Sequence, residues 1–150
     1  MISEMTTAAL QPPERITVTE AAVKYVKLNN PGSYSGPFDI DTTPYMRNPM
    51  DMLASREKQA VIFIGPSQSS KTASLVLNYI AYTVKCDPMD IILYEKSMSA
   101  AKDFSIRRVD RMHRDSPAIR EALVAHGRSG DNVFDKRYKN GVLLSLSWPA

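Results

Sequence analysis

With 150 residues, 43% of them hydrophobic, the chain can furnish one compact domain with its own core. Nineteen basic against sixteen acidic residues give a net charge of +3, compatible with a nucleic-acid partner without requiring one. One cysteine, Cys86, excludes an intrachain disulfide, and there is neither a secretory leader nor an apolar run near the ~20 residues of a membrane helix, so a soluble, cytoplasmic protein is expected.

Residues 1–44 read as a flexible or partner-docking arm. Prolines at 12, 13, 31, 37 and 44 and the run Asn29-Asn30-Pro31-Gly32 punctuate it, leaving Thr19 to Leu28 as its helical stretch. A second unit, residues 45–150, opens on a Pro- and Met-rich segment with a short helix. Ala60 to Ile64, AVIFI, has the length and continuous apolar character of a strand buried on both faces. Residues 72–84 are apolar almost all round, as in a helix packed between layers. After the turn Asp87-Pro88-Met89-Asp90 comes a second buried strand, Ile91 to Tyr94, predicted to lie parallel to the first and near it. An amphipathic helix follows from Ser99 to about Asp115, then another from Ser116-Pro117 to about Ala125. Gly127 to Asn132 reads as a loop. Two short strands, around 133–136 and 142–147, flank the hairpin-type turn Lys139-Asn140-Gly141. The alternation of strand and helix predicts an α/β fold.

Between the first strand and its helix lies Gly65-Pro66-Ser67-Gln68-Ser69-Ser70-Lys71-Thr72. A phosphate loop needs converging backbone N–H groups at the positive end of a helix, a lysine for the β- and γ-phosphates and a hydroxyl for Mg²⁺. Lys71 and Thr72 stand at those positions. Ser70 replaces the second glycine, and a helical Ser70 would serve if the position needs a small side chain more than positive φ. Pro66 has no N–H, so the nest must form from residues 67–72. The competing reading is a helix start capped by Ser69 or Ser70. A lysine in the first turn of a helix opposes the helix dipole unless an anion sits beside it, which favours a variant P-loop.

Five stretches in this order, TPYMRNPMDML, GPSQSSKT, DPMDIILYEKSMSAAKDFSIRRVDRM, SPAIREAL and NVFDKRYKNGVLLSLSWP, resemble the large terminase subunit of lambda-like tailed phages over about residues 43–149. The family's Pro-Met-Asp segment, its variant P-loop and its Ala-x-x-Phe-Ser helix fall on Pro49-Met50-Asp51, Gln68 to Thr72, and Ala101 to Ser105. The resemblance implies a P-loop NTPase-type, mainly parallel sheet flanked by helices, here incomplete. It implies ATP and Mg²⁺ as cofactors, with Gly65, Ser67, Gln68, Ser69, Ser70, Lys71 and Thr72 on the nucleotide and Thr72 on the metal. It also implies a motor that threads double-stranded DNA into a procapsid in the host cytoplasm, as a ring on the portal protein with a small terminase subunit. The Walker B acid, catalytic glutamate, arginine finger and nuclease would lie beyond Ala150, and the chain alone would be inactive. Another P-loop ATPase of helicase type, and a non-catalytic assembly fragment, remain as alternatives.

Arg107, Arg111 and Arg114 line one helix face, as a DNA-phosphate stripe or as surface pairs with Asp103 and Asp110 four residues earlier. Arg108 falls between Ala101, Phe104, Val109 and Met112, where a charge calls for a partner or a function. Glu95, just past the second strand, positions water or forms a surface pair. Tyr45, Met46, Met50 and Met52 line an adenine pocket or belong to the core. His113 and His126 lack the spacing of a metal site.

Overall fold

The computed structural model describes residues 12–124 and 132–150. Helix α1, Val18–Tyr25, starts at a capping box: Thr17 Oγ1 accepts from Glu20 N at 3.2 Å while Glu20 Oε2 accepts from Thr17 N at 2.7 Å. The helix ends earlier than its sequence suggested. Val26 is extended, and the chain enters a hairpin of β1, Lys27–Asn29, against antiparallel β2, Ser35–Pro37. Gly32, at φ 80°, turns it. Val18, Ala21, Ala22, Val26, Phe38 and Ile40 are buried in the core, so residues 18–40 are an integral layer of the fold rather than a loosely organised arm.

The short helix α2, Arg47–Met52, buries Met50, and Met46 just before it is buried too. Asp51 Oδ1 accepts from Thr19 N at 2.9 Å, which gives α1 a second acceptor in its first turn. The main helical layer begins with a π-helical stretch, Thr72–Leu77, continues as α3, Asn78–Lys85, and packs along α1. Strand β3, Ile91–Tyr94, leads to a three-part helical run: α4 (Met98–Phe104), a second π-helical stretch (Ser105–Val109) and α5 (Asp110–Asp115). Helix α6, Pro117–Ala122, opens on a proline in its first turn.

Strands β4, Asp135–Arg137, and β5, Leu143–Ser147, form the predicted antiparallel hairpin, with Gly141 at φ 92°. Asn140 Nδ2 donates to Val84 O at 2.8 Å and Asp90 Oδ1 accepts from Leu143 N at 2.9 Å, pinning the hairpin to the end of α3 and the start of β3. The sheet order is β3-β5-β4, with β3 and β5 parallel, Ile91 opposite Leu144 and Leu93 opposite Leu146. The fold is α/β, but its described sheets are one mixed and one antiparallel rather than mainly parallel.

The segment 60–64 departs furthest from expectation. It joins no ladder among the described residues, and β3 takes β5 as its neighbour instead. Its side chains alternate: Phe63 packs on the core, whereas Ile62 and Ile64 are 86% and 93% exposed. On β3, Ile92 and Tyr94 likewise point away from the core at 63% and 68% exposure. Both segments read as buried on two faces, yet the described helices cover only one.

Candidate functional site: the loop before the first long helix

The loop from Gly65 to Thr72 is anchored at both ends. At Gly65 a Cβ would meet the Phe63 ring at 2.7 Å, so the position admits no side chain unless the ring shifts. At the other end Ser74 N donates to Ser70 O at 2.8 Å, closing the first helical turn, and the Ser70 and Ser74 hydroxyls lie 3.1 Å apart. Ser69 Oγ donates to Pro66 O at 2.8 Å and tightens the bend between them.

Two residues of this loop, Gln68 at φ 56° and Ser70 at φ 60°, have left-handed backbones. The sequence reading allowed a helical Ser70; the structure corrects it. This position does use positive φ, which explains why a glycine would suit it, and the serine bears roughly 1–2 kcal/mol of backbone cost. The alternation of hands turns successive amides inward, the arrangement that makes an anion-binding concavity. The backbone N–H groups of Gln68, Ser70, Lys71 and Thr72 find no protein acceptor among the described residues.

The cation stands at the mouth. Lys71 Nζ donates to Gly65 O at 2.7 Å and to Pro66 O, folding its ammonium back over the loop. Lys71 is therefore half-buried and occupied with carbonyls, rather than freely exposed. A phosphate entering the loop would exchange two neutral acceptors for charged ones, which hold an ammonium more strongly. Thr72 follows in the first π-helical turn with its hydroxyl in no protein hydrogen bond among the described residues. Tyr45 hangs over the loop, 57% exposed, with its hydroxyl 3.4 Å from Ser69 O. The four residues read together at the sequence level thus separate. Met46 and Met50 are core, Met52 lies at the surface, and only Tyr45 reaches the loop.

A family model described as phage terminase large subunit gpA, ATPase domain, matches residues 32–150. The chain belongs to that family. No curated protein and no solved structure matches the chain. The Pro49-Met50-Asp51 signature has a physical meaning here: Met50 is buried in the core and Asp51 ties α1 to α2.

The other sequence-level candidates lie elsewhere. Glu95 follows β3, where its N–H donates to Ser147 O at 2.9 Å, and its carboxylate bonds neither Lys71 nor Thr72. Asp87 pairs with Arg56 at 3.8 Å. Arg107 pairs with Asp103 at 2.6 Å, as its spacing predicted. Asp110 does not pair with Arg114; it holds the buried Lys136 at 2.8 Å, and Arg114 turns to Asp115 at 3.0 Å. Burial tends to raise the Asp115 carboxyl, but the hydrogen bond and charge of Arg114, with Asn29 and Arg111, outweigh it and hold the group below the usual carboxylate range. His113 Nε2 and the Tyr138 hydroxyl lie 2.8 Å apart in a buried contact, and His126 falls outside the described residues. Burial pushes the Cys86 thiol up to about 11, which makes it an inert core group.

Arg108 is exposed and makes no hydrogen bond or ion pair among the described residues, contrary to its expected place on the apolar face. The reason is the π-helical stretch. Buried positions run Ala101, Ser105 and Val109, then Met112 and His113, and the steps of four around Ser105 are ones a regular α-helix would carry around its surface. The wider turn absorbs that drift and leaves Arg108 outside. The small, polar Ser105 on an otherwise apolar stripe was the signal available in the sequence.

Proposed function

We propose that this terminase ATPase domain binds ATP at the Gly65–Thr72 loop and couples its hydrolysis to movement of double-stranded DNA into a procapsid. The observation that carries the reading is the joint arrangement of four uncommitted backbone amides, two left-handed loop residues and the Lys71 ammonium, all at the start of one long helix. Gly65, Ser67, Gln68, Ser69 and Ser70 form the cradle, Lys71 meets the β- and γ-phosphates, and Thr72 offers a hydroxyl to Mg²⁺. The ion, when bound, neutralises charge that develops on the transferred phosphoryl group. Tyr45, exposed beside the loop, offers a flat face for the base. The small terminase subunit and the portal protein are the expected partners, and a ring of copies on the portal the expected assembly.

The test is nucleotide binding by Lys71→Ala. Fluorescent ATP should bind the native chain in the presence of Mg²⁺ and lose at least tenfold in affinity in the variant, with far-ultraviolet circular dichroism unchanged. Equal affinity in the two proteins would remove the loop as the nucleotide site.

A further inference from the structure

A cleft of about 220 Å³ opens on the flank of the loop helix. One wall is the β1 edge, Val26 to Asn30; the opposite wall is Arg107, Arg108, Arg111 and Met112. Ser70, Ala73, Leu77 and Asn78 lie between them. The walls are fastened together. Lys27 N donates to Ser116 Oγ at 2.9 Å, and Arg111 Nη2 donates to Asn29 O and to Asn30 Oδ1. The cleft is therefore a built feature, held by contacts between residues more than eighty positions apart.

Its chemistry is one-sided. Four cations, Lys27, Arg107, Arg108 and Arg111, line it against one acid, Asp115, an excess of three positive charges. Asp115 is already shared by Arg111 and Arg114, and Arg108 has no protein partner among the described residues. The Arg107–Asp103 pair is exposed on both sides, so it is easily exchanged for another anion. Asn78 lines the same cleft at 1% exposure, and its amide nitrogen is buried without a hydrogen-bond partner. An unsatisfied buried donor is costly, and cavities that keep one have commonly kept it for a ligand or a water. Both π-helical stretches border this space, Ala73 and Leu77 from the first and Arg107 and Arg108 from the second. Such stretches are frequent at functional sites.

We propose that this cleft is a second anion site, distinct from the loop, that takes a phosphate group between Arg108 and the Asn78 amide. Guanidinium forks match the tetrahedral oxygens of phosphate, and the exposed arginines leave room for a phosphate attached to a larger body. Ser70 belongs to both sites, giving backbone to the loop and surface to the cleft, so an occupant of the cleft bears directly on the strained residue of the loop. The group can come from a nucleic-acid strand or from a free phosphate compound; the chemistry is shared.

The test follows the Asn78 side-chain amide by nuclear magnetic resonance in the full chain carrying Lys71→Ala, so that the loop is out of play. Pyrophosphate and a short DNA duplex are titrated separately. At least one should shift the Asn78 amide saturably, and adding Arg108→Gln should weaken that binding about tenfold, the loss of roughly one charged hydrogen bond. A duplex that acts at lower concentration than pyrophosphate identifies a strand as the source; pyrophosphate acting alone identifies a free compound. If neither ligand moves the resonance, or if Arg108→Gln binds as tightly as its parent, there is no such site. If the shift is present in the native chain and vanishes with Lys71→Ala, the ligand sat in the loop and the inference falls while the nucleotide reading stands.

Discussion

Ser70 concentrates the physical tension of the loop in one residue. It holds a left-handed backbone that glycine adopts freely, and its hydroxyl recovers only one contact, with Ser74. Ser70→Gly should stabilise the chain by about 1 kcal/mol, read as a higher urea midpoint at unchanged slope. Ser70→Ala keeps the strain and loses the contact, so it should fall below the native chain; a glycine variant less stable than the native one would contradict the strain. Asp115 carries a second prediction at this scale. Its pKa is lowered on folding, so the stability it contributes is present above its unfolded value near 3.9 and is lost as pH falls through the folded value. Below about pH 4 the native chain should therefore lose stability more steeply than Asp115→Asn, as urea unfolding at successive pH values would show. Parallel slopes would mean that the carboxylate is equally accessible in both states.

Among the elements, the strands differ in how far they are committed to the fold. Leu144 on β5 is fully buried, so Leu144→Ala should cost about 2–5 kcal/mol. Ile62→Ala, at a side chain 86% exposed, should change stability by less than about 0.5 kcal/mol. Comparable losses in thermal unfolding would mean that segment 60–64 is covered in solution. The same contrast shows what the sequence made legible. Ile91 to Tyr94 and the 135–147 hairpin were readable because apolar runs and an Asn-Gly turn are local signals. Segment 60–64 is as apolar as β3, but pairing depends on a neighbour, which composition does not contain. The loop was legible from Gly65, Lys71 and Thr72, whereas the left-handed Ser70 was not, since a serine gives no hint of positive φ. The α1 layer was hidden by prolines, and Arg108 by a π-helical turn that regular periodicity cannot foresee.

At the scale of the molecule, the loop proposed to hold nucleotide has little machinery for hydrolysis around it among the described residues. Phosphoryl transfer needs an acid for the metal and a group that orients water, and no described carboxylate bonds Lys71 or Thr72. The 150 residues by themselves should bind ATP weakly and turn it over at least about a thousandfold more slowly than an assembled motor, measured by phosphate release under single-turnover conditions. Brisk turnover would make Glu95 the first carboxylate to replace. The uncovered apolar side chains of segment 60–64 and β3 have a different consequence, for handling rather than for catalysis. Ile62, Ile64, Ile92 and Tyr94 present oil to water on a molecule whose net charge of only +3 repels its copies weakly. The unpaired backbone of 60–64 adds a template on which another chain can build. Concentrated solutions of this chain should thus be colloidally unstable while every molecule in them remains folded, and the first remedy is a lysine at position 62 or 64, where a charge meets only solvent.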